Sequence, residues 1–232
     1  MKKISLIVFL LPLFIKAQVY QAKKDAMAPA PVTQAPAKDL GQRQQLAMPK
    51  RSNEGPVWGF YVTENPSFNV TTSNVVAPME VGYAFKVSRK GLLYAFSVYM
   101  PVNNAAVTVS LWDGTTHQLI KQKKIVTGNK DNFSKVEFEN EAVTLDSGKT
   151  YVLSMNTAAV VAPNYYQYYL MQKGSNAQNF LPYTYQHITV TEMRYTLAQA
   201  KVPTYPADNN YYVNGKQVLP GLVDFAYYAT QY

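Results

Sequence analysis

The chain has 232 residues and no cysteine. It is long enough to bury a core of its own, so its fold must depend on packing, and thiolate metal sites and cysteine nucleophiles are excluded. The formal net charge is +8, but residues 55–232 hold 13 Lys/Arg and 11 Asp/Glu and therefore carry only +2. A domain with so small an excess of mixed charges has an ordinary solvated surface, and we expect no nucleic-acid partner.

Residues 1–17 have the pattern of a secretory signal peptide. Lys2 and Lys3 precede an apolar run from Ile4 to Ile15, and Ala17 is a small residue at the expected cleavage position. The run is shorter than the ~20 residues that a membrane span needs, and no second long run follows. We expect a mature chain without a transmembrane segment, located in the secreted fraction, the periplasm or at the cell surface.

Residues 18–54 are predicted to form a disordered linker rich in Ala, Pro and Gln. Pro29, Pro31 and Pro36 favour extended conformations, and the segment has too little apolar surface to build a core. The linker could be a spacer or an unselected leader. The folded domain is predicted to span residues 55–232.

From about Val57 the sequence changes to short strands separated by turn signals such as Asp113-Gly114 and Asn214-Gly215. About ten short strands with no convincing helix predict an all-β fold, an antiparallel β-sandwich of jelly-roll type. The predicted strands are Val57–Thr63, Glu80–Ser88, Leu92–Met100, Ala105–Trp112, Leu119–Val126, Phe133–Glu139, Thr150–Asn156, Tyr165–Gln172, His187–Tyr195, Asn210–Val213 and Gly221–Ala229.

Alternation along these strands predicts which residues share a buried face, because successive side chains point to opposite sides of a sheet. Trp112 is expected to pack against the outer side of a sheet rather than to bind a ligand. The sets predicted to share a face are Tyr94, Phe96, Val98 and Met100; Val107, Val109 and Leu111; and Val136 with Phe138.

The stretch from Gly82 to Thr157 has a more specific pattern. Leu111-Trp112 follows an alternating strand, and Gly148 and Tyr151 mark a Gly-x-x-Tyr turn into another strand. Near the end of the domain, Tyr211-Tyr212 and Asp224-Phe225 form a last piece of the pattern, which Asn214 to Leu222 interrupt. We call this piece the closing element. The remaining pieces are Gly82–Phe85, Gly91–Leu93, Val136–Phe138 and Val143–Leu145.

Over about residues 80–226 this pattern resembles the secreted bacterial domain of unknown function numbered 4082. The resemblance implies a β-sandwich that occurs alone or is appended to secreted carbohydrate-active and adhesion proteins, and it brings no established catalytic residues. The signal peptide and the leader also resemble those of exported proteins of Bacteroidota.

Tyrosine is the compositional anomaly: 18 of the 19 tyrosines lie in residues 55–232. Tyr combines an apolar face with a polar tip and can stack on a sugar ring or pack against a partner. Alternatively, these rings pack beneath the long loops 176–186 and 197–209. The candidate ligand-binding residues are Tyr165, Tyr166, Tyr168, Tyr169, Tyr211 and Tyr212.

Signatures of catalysis are weak. His117 and His187 have no second histidine at metal-ligand spacing. Glu137, Glu139 and Glu141 are spaced by two and are expected to lie on one solvated strand face rather than to act as paired acids.

No cofactor is expected, although a structural calcium at turn carboxylates is an alternative, with Asp113, Asp131 and Asp146 as candidates. Lys121 and Lys123 share a strand face, with Lys124 beside them. This cluster indicates a solvated face or a guarded sheet edge rather than an anion site.

Three hypotheses follow. The leading one is an exported, non-enzymatic β-sandwich that binds glycan or a cell-envelope partner. The second is a structural or assembly subunit of a surface complex, joined through strand edges and the leader. The third is a cryptic hydrolase, which needs a cleft holding two carboxylates at catalytic separation.

Overall fold

The computed structural model describes residues 55–57, 68–75, 78–130, 132–160, 165–172, 180–196, 200–209, 212–213 and 216–230. These residues form fourteen β-strands and one 3₁₀ turn at Glu139–Glu141. The strands are β1 (Phe68–Val75), β2 (Glu80–Val87), β3 (Gly91–Tyr99), β4 (Ala106–Asp113), β5 (Leu119–Val126), β6 (Phe133–Glu137), β7 (Val143–Leu145), β8 (Thr150–Asn156), β9 (Tyr165–Gln172), β10 (Tyr183–Tyr185), β11 (Ile188–Thr196), β12 (Tyr212–Val213), β13 (Lys216–Pro220) and β14 (Leu222–Ala229).

The largest sheet has six strands in the order β10-β11-β2-β8-β4-β5, all paired antiparallel. β2 and β8 lie at its centre, with Tyr83 opposite Leu153 in the register. β5 lies at one end of the order and pairs with β4 alone among the described strands. The predicted sheet edge at Lys121, Lys123 and Lys124 is therefore confirmed.

Two further sheets pack on the six-stranded sheet. One has the order β14-β3-β6, with β7 also paired to β3, and the other has the order β1-β9-β13-β12. Consecutive strands connect these two sheets: β13 of one sheet ends at Pro220, the chain bends at Gly221, and β14 of the other sheet begins at Leu222. Leu219 of β13 and Phe225 of β14 accordingly lie in the same buried core.

The path of the chain is that of the predicted jelly-roll-like sandwich. It passes from β2 in the six-stranded sheet to β3 in the opposite layer, back to the β4–β5 hairpin, across to β6 and β7, and back to β8. β14 then pairs with β3 and closes the opposite layer. The strands β9 to β13 are inserted between β8 and β14, and two of them, β10 and β11, extend the six-stranded sheet.

The main core lies between the layers, and it is rich in aromatic rings. The rings of Phe85 and Phe225 approach to 4.6 Å between centroids across the two layers, and Tyr151 lies 5.7 Å from Phe85. Val107, Val109 and Leu111 of β4 are fully buried in this core, as alternation predicts. Phe138 is buried as well, and the half-buried Val136 packs against the core.

One predicted face is wrong in part. Phe96, Val98 and Met100 lie in the main core, but Tyr94 packs instead with Ala95, Ala226 and Tyr228 outside it. The cause is a bulge: β14 residues Ala226 and Tyr227 are consecutive, but their partners in β3 are Ala95 and Leu93. The extra residue shifts the alternation, so that Leu93 enters the core in place of Tyr94.

Other corrections concern element boundaries. β6 ends at Glu137, and Glu139 and Glu141 lie in the 3₁₀ turn, so the three glutamates do not share one strand face. Pro56 and Val57 are helical rather than extended, and the rest of the predicted strand Val57–Thr63 lies outside the described residues. The strands that the pattern did not predict are β1, β7, β10 and β13.

Other elements agree with the prediction. Val213 is opposite Lys216 in the β12–β13 register, as a hairpin at Asn214-Gly215 requires. The predicted signal peptide and linker, residues 1–54, lie outside the described residues. Among the residues that are described, no helix has the length and apolar character to cross a bilayer.

Alanine substitutions at Gly221 and Gly148 test whether the bend between the two smaller sheets requires a residue without a Cβ. Both have positive φ, +73° and +74°, but a Cβ on Gly221 would lie 2.5 Å from Val81 Cγ2, whereas a Cβ on Gly148 would meet nothing within 4 Å. Gly148→Ala should cost about 1 kcal/mol of unfolding free energy for the left-handed conformation alone. Gly221→Ala should cost about 2–4 kcal/mol, because overpacking adds to that strain. Urea unfolding of both variants measures the difference, and equal losses would contradict this account.

Candidate functional site

The outer face of the six-stranded sheet, which is turned away from the main core, carries polar groups. Glu80 of β2 and Ser154 and Asn156 of β8 alternate with core residues and therefore point to this side. Trp112 of β4 lies there too, packed against Ala84 and Val152. All four side chains are nevertheless buried.

A segment formed by residues 200–209, called the strap below, contacts this outer face. Asn156 Nδ2 donates to Ala200 O at 2.9 Å, and the Thr204 backbone N–H donates to Glu80 Oε2 at 3.3 Å. The other ties are the Ala200 N–H to Pro78 O at 3.1 Å, Arg194 Nη1 to Ala207 O at 3.3 Å, Asn209 Nδ2 to Glu192 Oε2 at 3.2 Å, and paired backbone hydrogen bonds between Tyr195 and Asp208 at 3.0 Å.

Glu80 is the hub of a hydrogen-bond network between the sheet and the strap. Its Oε1 accepts from Ser154 Oγ at 2.5 Å, and its Oε2 accepts from Asn156 Nδ2 at 2.9 Å and from the Thr204 N–H. Ser154 Oγ in turn accepts from Trp112 Nε1 at 2.9 Å. These partners are all neutral, so within the described part of the chain the carboxylate is hydrogen-bonded but not paired with a cation.

Burial without a cation shifts the titration of Glu80. Loss of water raises the pKa of this carboxyl to about 7 from its ordinary 4.5, although the hydrogen bonds from Ser154, Asn156 and Thr204 oppose the rise. Glu80 therefore changes charge near neutral pH.

Three aromatic rings meet where the strap crosses the end of β4. The Tyr205 ring packs edge-on against Trp112, with centroids 6.1 Å apart and an interplanar angle of 90°. The ring of His117 stacks on Tyr205 at 3.8 Å and 13°. Since His117 is exposed and Tyr205 is half-buried, the stack faces solvent. We call these three residues the aromatic platform.

The turn after β4 positions His117. Asp113 Oδ1 accepts from the backbone N–H groups of Thr115 and Thr116, both at 2.9 Å, and Lys149 Nζ lies 2.7 Å from Asp113 Oδ2. The hydrogen bond from Lys149, followed by those from the turn, holds the pKa of Asp113 well below its usual range. His117 adopts φ +61°, which turns the chain back into β5.

An open depression lies elsewhere, at the turn after β6. It is lined by Phe138, Asn140, Lys123 and the glutamates at 137, 139 and 141. Glu141 accepts from Lys121 at 2.5 Å and from Lys123 at 3.0 Å, and these bonds lower its pKa to about 2. A general acid needs a raised pKa, so Glu141 is not suited to that role.

The strands that carry the described ligand tyrosines, β9 and β12, belong to a different sheet from the one beneath the aromatic platform. Tyr165, Tyr166, Tyr168 and Tyr169 lie on β9, an inner strand of the β1-β9-β13-β12 sheet, and their side chains lie outside the described part. Tyr211 is outside the described residues altogether. Tyr212 of β12 is 44 % exposed. Tyr205, which does reach the platform, is one of the 18 tyrosines in residues 55–232 but not one of the six predicted ligand residues.

The calcium alternative finds no support at the two turns that can be inspected. Asp113 is bound to Lys149 and Asp146 to Lys90, at 2.7 and 3.5 Å, and Asp131 lies outside the described residues. In the described part of the chain, no group of three or more His, Cys, Asp or Glu side chains could hold a metal ion. His187 is on a different turn from His117, and its Nδ1 lies 3.4 Å from Ser88 Oγ.

Comparison with known proteins identifies the family. Residues 64–213 match the family described as "Domain of unknown function (DUF4082)". The chain belongs to this family. The matched region includes β1 to β12, the turn of His117 and the strap, whereas the closing element at Asp224-Phe225 lies beyond it. A search of the curated proteins found no match.

The charge on Glu80 predicts how stability depends on pH. Because the folded state holds the proton up to about pH 7 and the unfolded chain only to about 4.5, the folded state binds more protons between these values. The contribution of Glu80 to stability is therefore greatest below pH 4.5 and falls by up to about 3 kcal/mol as the pH rises through 7. Glu80→Gln, which mimics the protonated form, should remove this fall. Urea unfolding at several pH values tests it, and an unchanged pH profile in the variant would refute the assignment.

Proposed function

We propose that this chain is an exported, non-enzymatic β-sandwich module that binds glycan or a cell-envelope partner, and that it contacts glycan through the aromatic platform. The observation that carries the proposal is the stack of His117 on Tyr205 at the surface. A flat aromatic face accepts the apolar side of a sugar ring, and hydrogen-bonding groups at its edge select the hydroxyls.

The surroundings of the platform supply such groups. Burial raises the pKa of Tyr205, and the charged side chains near it are the half-buried Arg194 and Glu192 and the buried Asp113. Arg194 is hydrogen-bonded to Glu192 and Asp113 is bound to Lys149, so these side chains are already held in place. Preorganised polar groups lose little side-chain entropy when a ligand binds, which favours specific recognition of hydroxyls.

A panel of soluble oligosaccharides and insoluble polysaccharides tests the proposal, with retention followed by titration calorimetry. Tyr205→Ala should weaken binding about tenfold, because the stacking surface is lost. Tyr205→Phe should bind as the parent does, since it keeps the ring. Tyr212→Ala is the matched control on the site that the sequence predicted. A loss with Tyr212→Ala and none with Tyr205→Ala would place binding on the other sheet, and silence across the whole panel would count against glycan.

The second candidate, an assembly subunit, is favoured by the edge strand β5. Leu119, Ile120 and Val126 on this strand are 48 %, 37 % and 60 % exposed. An edge strand with apolar side chains can pair with a strand of another chain. The ion pairs of Lys121 and Lys123 with Glu141 partly offset the charges that would oppose such pairing.

Light scattering over a range of concentrations tests this candidate. If β5 mediates assembly, the mean mass should rise with concentration, and Val126→Lys should abolish the rise because it places a charge in the interface. Val202→Lys is the matched control, since Val202 is 65 % exposed but lies on the strap. A strict monomer at every concentration would argue against assembly.

A further inference from the structure

Glu80 joins the six-stranded sheet to the middle of the strap, whose two ends are held separately at Ala200 and at Ala207 to Asn209. Of its hydrogen-bond donors, Ser154 and Asn156 belong to the sheet and Thr204 belongs to the strap. Asn156 also donates to Ala200 O, so the same two side chains tie down the first half of the strap. A change at Glu80 therefore acts directly on whether the strap stays closed.

The other charged groups nearby have partners of their own. On β11, Arg194 pairs with Glu192, and Asp113 at the end of β4 pairs with Lys149. In the described residues the carboxylate of Glu80 accepts from Ser154, Asn156 and Thr204 and from no charged side chain. The remaining titratable groups on the elements that pack here are Lys86 at the far end of β2 and Lys201, Tyr205 and Asp208 on the strap. Tyr83, Tyr151 and Tyr195 lie on β2, β8 and β11 but pack in or against the main core on the other side of the sheet.

Closure of the strap leaves polar atoms without partners. The Tyr205 hydroxyl and Arg194 Nε are buried and have no hydrogen-bond partner among the described residues. Each such atom costs free energy that water would return if the strap opened. Within the strap, Ala200 and Pro206 are buried and Pro203 and Tyr205 are half-buried, whereas Lys201, Val202, Thr204 and Ala207 to Asn209 are exposed. Segments of this kind are drawn from the least stable part of a fold.

We propose that the strap is a proton-dependent latch: a proton on Glu80 holds it closed with Tyr205 in the aromatic platform, and loss of that proton releases it. When Glu80 is protonated, its O–H can donate to Ser154 Oγ while its other oxygen still accepts from Asn156 and Thr204. When the proton leaves, a charge lies in a dry site without a cation, and opening the strap lets water reach it.

The latch makes the platform sensitive to pH. Opening withdraws Tyr205 from both His117 and Trp112, so the stacked surface exists only in the closed state. Burial raises the pKa of Glu80 to about 7, so the opening equilibrium should shift on the order of 100-fold between pH 5 and pH 8. The identity of the ligand rests on the proposed function, but the latch itself does not.

Amide hydrogen exchange by NMR tests the latch without any ligand. The protection of the Thr204 amide, corrected for the intrinsic rate, should fall on the order of 100-fold from pH 5 to pH 8. In Glu80→Gln it should stay constant. His117→Asn should keep the fall, which separates the effect of Glu80 from any effect of the histidine in the aromatic platform. The amide of Leu153 in β8 reports global opening and should remain better protected than Thr204 throughout.

Three outcomes would overturn the latch. The Thr204 protection could stay constant in the parent, or fall equally in Glu80→Gln, or fall together with Leu153 to the same level, in which case the proton acts on global unfolding. Acrylamide quenching of Trp112 in a Trp58→Phe background gives a second readout and should increase with pH in the parent. A failed glycan panel with an intact pH response would refute the proposed function and leave the latch standing.

Discussion

The antiparallel pairing of β2 with β8 is the constraint on which the rest of the structure depends. It places Tyr83 opposite Leu153 on the core side and Glu80 opposite Asn156 on the outer side. A slip of one residue would turn the carboxylate into the apolar core and the core residues outward, so the register is strongly specified. Gly82 lets the two strands approach, since a Cβ there would lie 1.9 Å from Leu153 O.

The same register places buried polar groups on the outer face, and these groups require hydrogen-bond partners. Glu80, Ser154 and Asn156 form a row of hydrogen-bonding groups, and Trp112 adds an indole N–H to it. Burying such a row is tolerable only when each group finds a partner. The strap supplies part of them from its backbone, through Thr204 N–H and Ala200 O. A loop that looks like a simple connection is thus a structural requirement of the sheet beneath it.

Sequence patterns predicted the buried faces well where alternation is unbroken, as in β4. In such a strand successive side chains point to opposite sides of the sheet, so the spacing of apolar residues identifies the buried face. They misplaced Tyr94 because the bulge in β3 arises from its pairing with β14, which is distant in sequence. They missed β1 because its sequence FNVTTSNV is largely polar and becomes a strand through pairing with β9. Glu80 gave a local signal, a charge opening an apolar strand, but only the register with Asn156 and Ser154 reveals the site.

The described tyrosines differ in whether their hydroxyl groups have a hydrogen-bond partner. Tyr83 donates to Asp224, Tyr227 donates to Arg89 O, and the Tyr151 hydroxyl accepts from the Asp146 N–H, so each of these rings is anchored in the structure at both ends. Tyr205 differs, because its ring is shared between Trp112 and an exposed His117 while its hydroxyl has no partner among the described residues. Among the described tyrosines, Tyr83, Tyr151 and Tyr227 therefore have structural roles, and the proposed binding function rests on Tyr205.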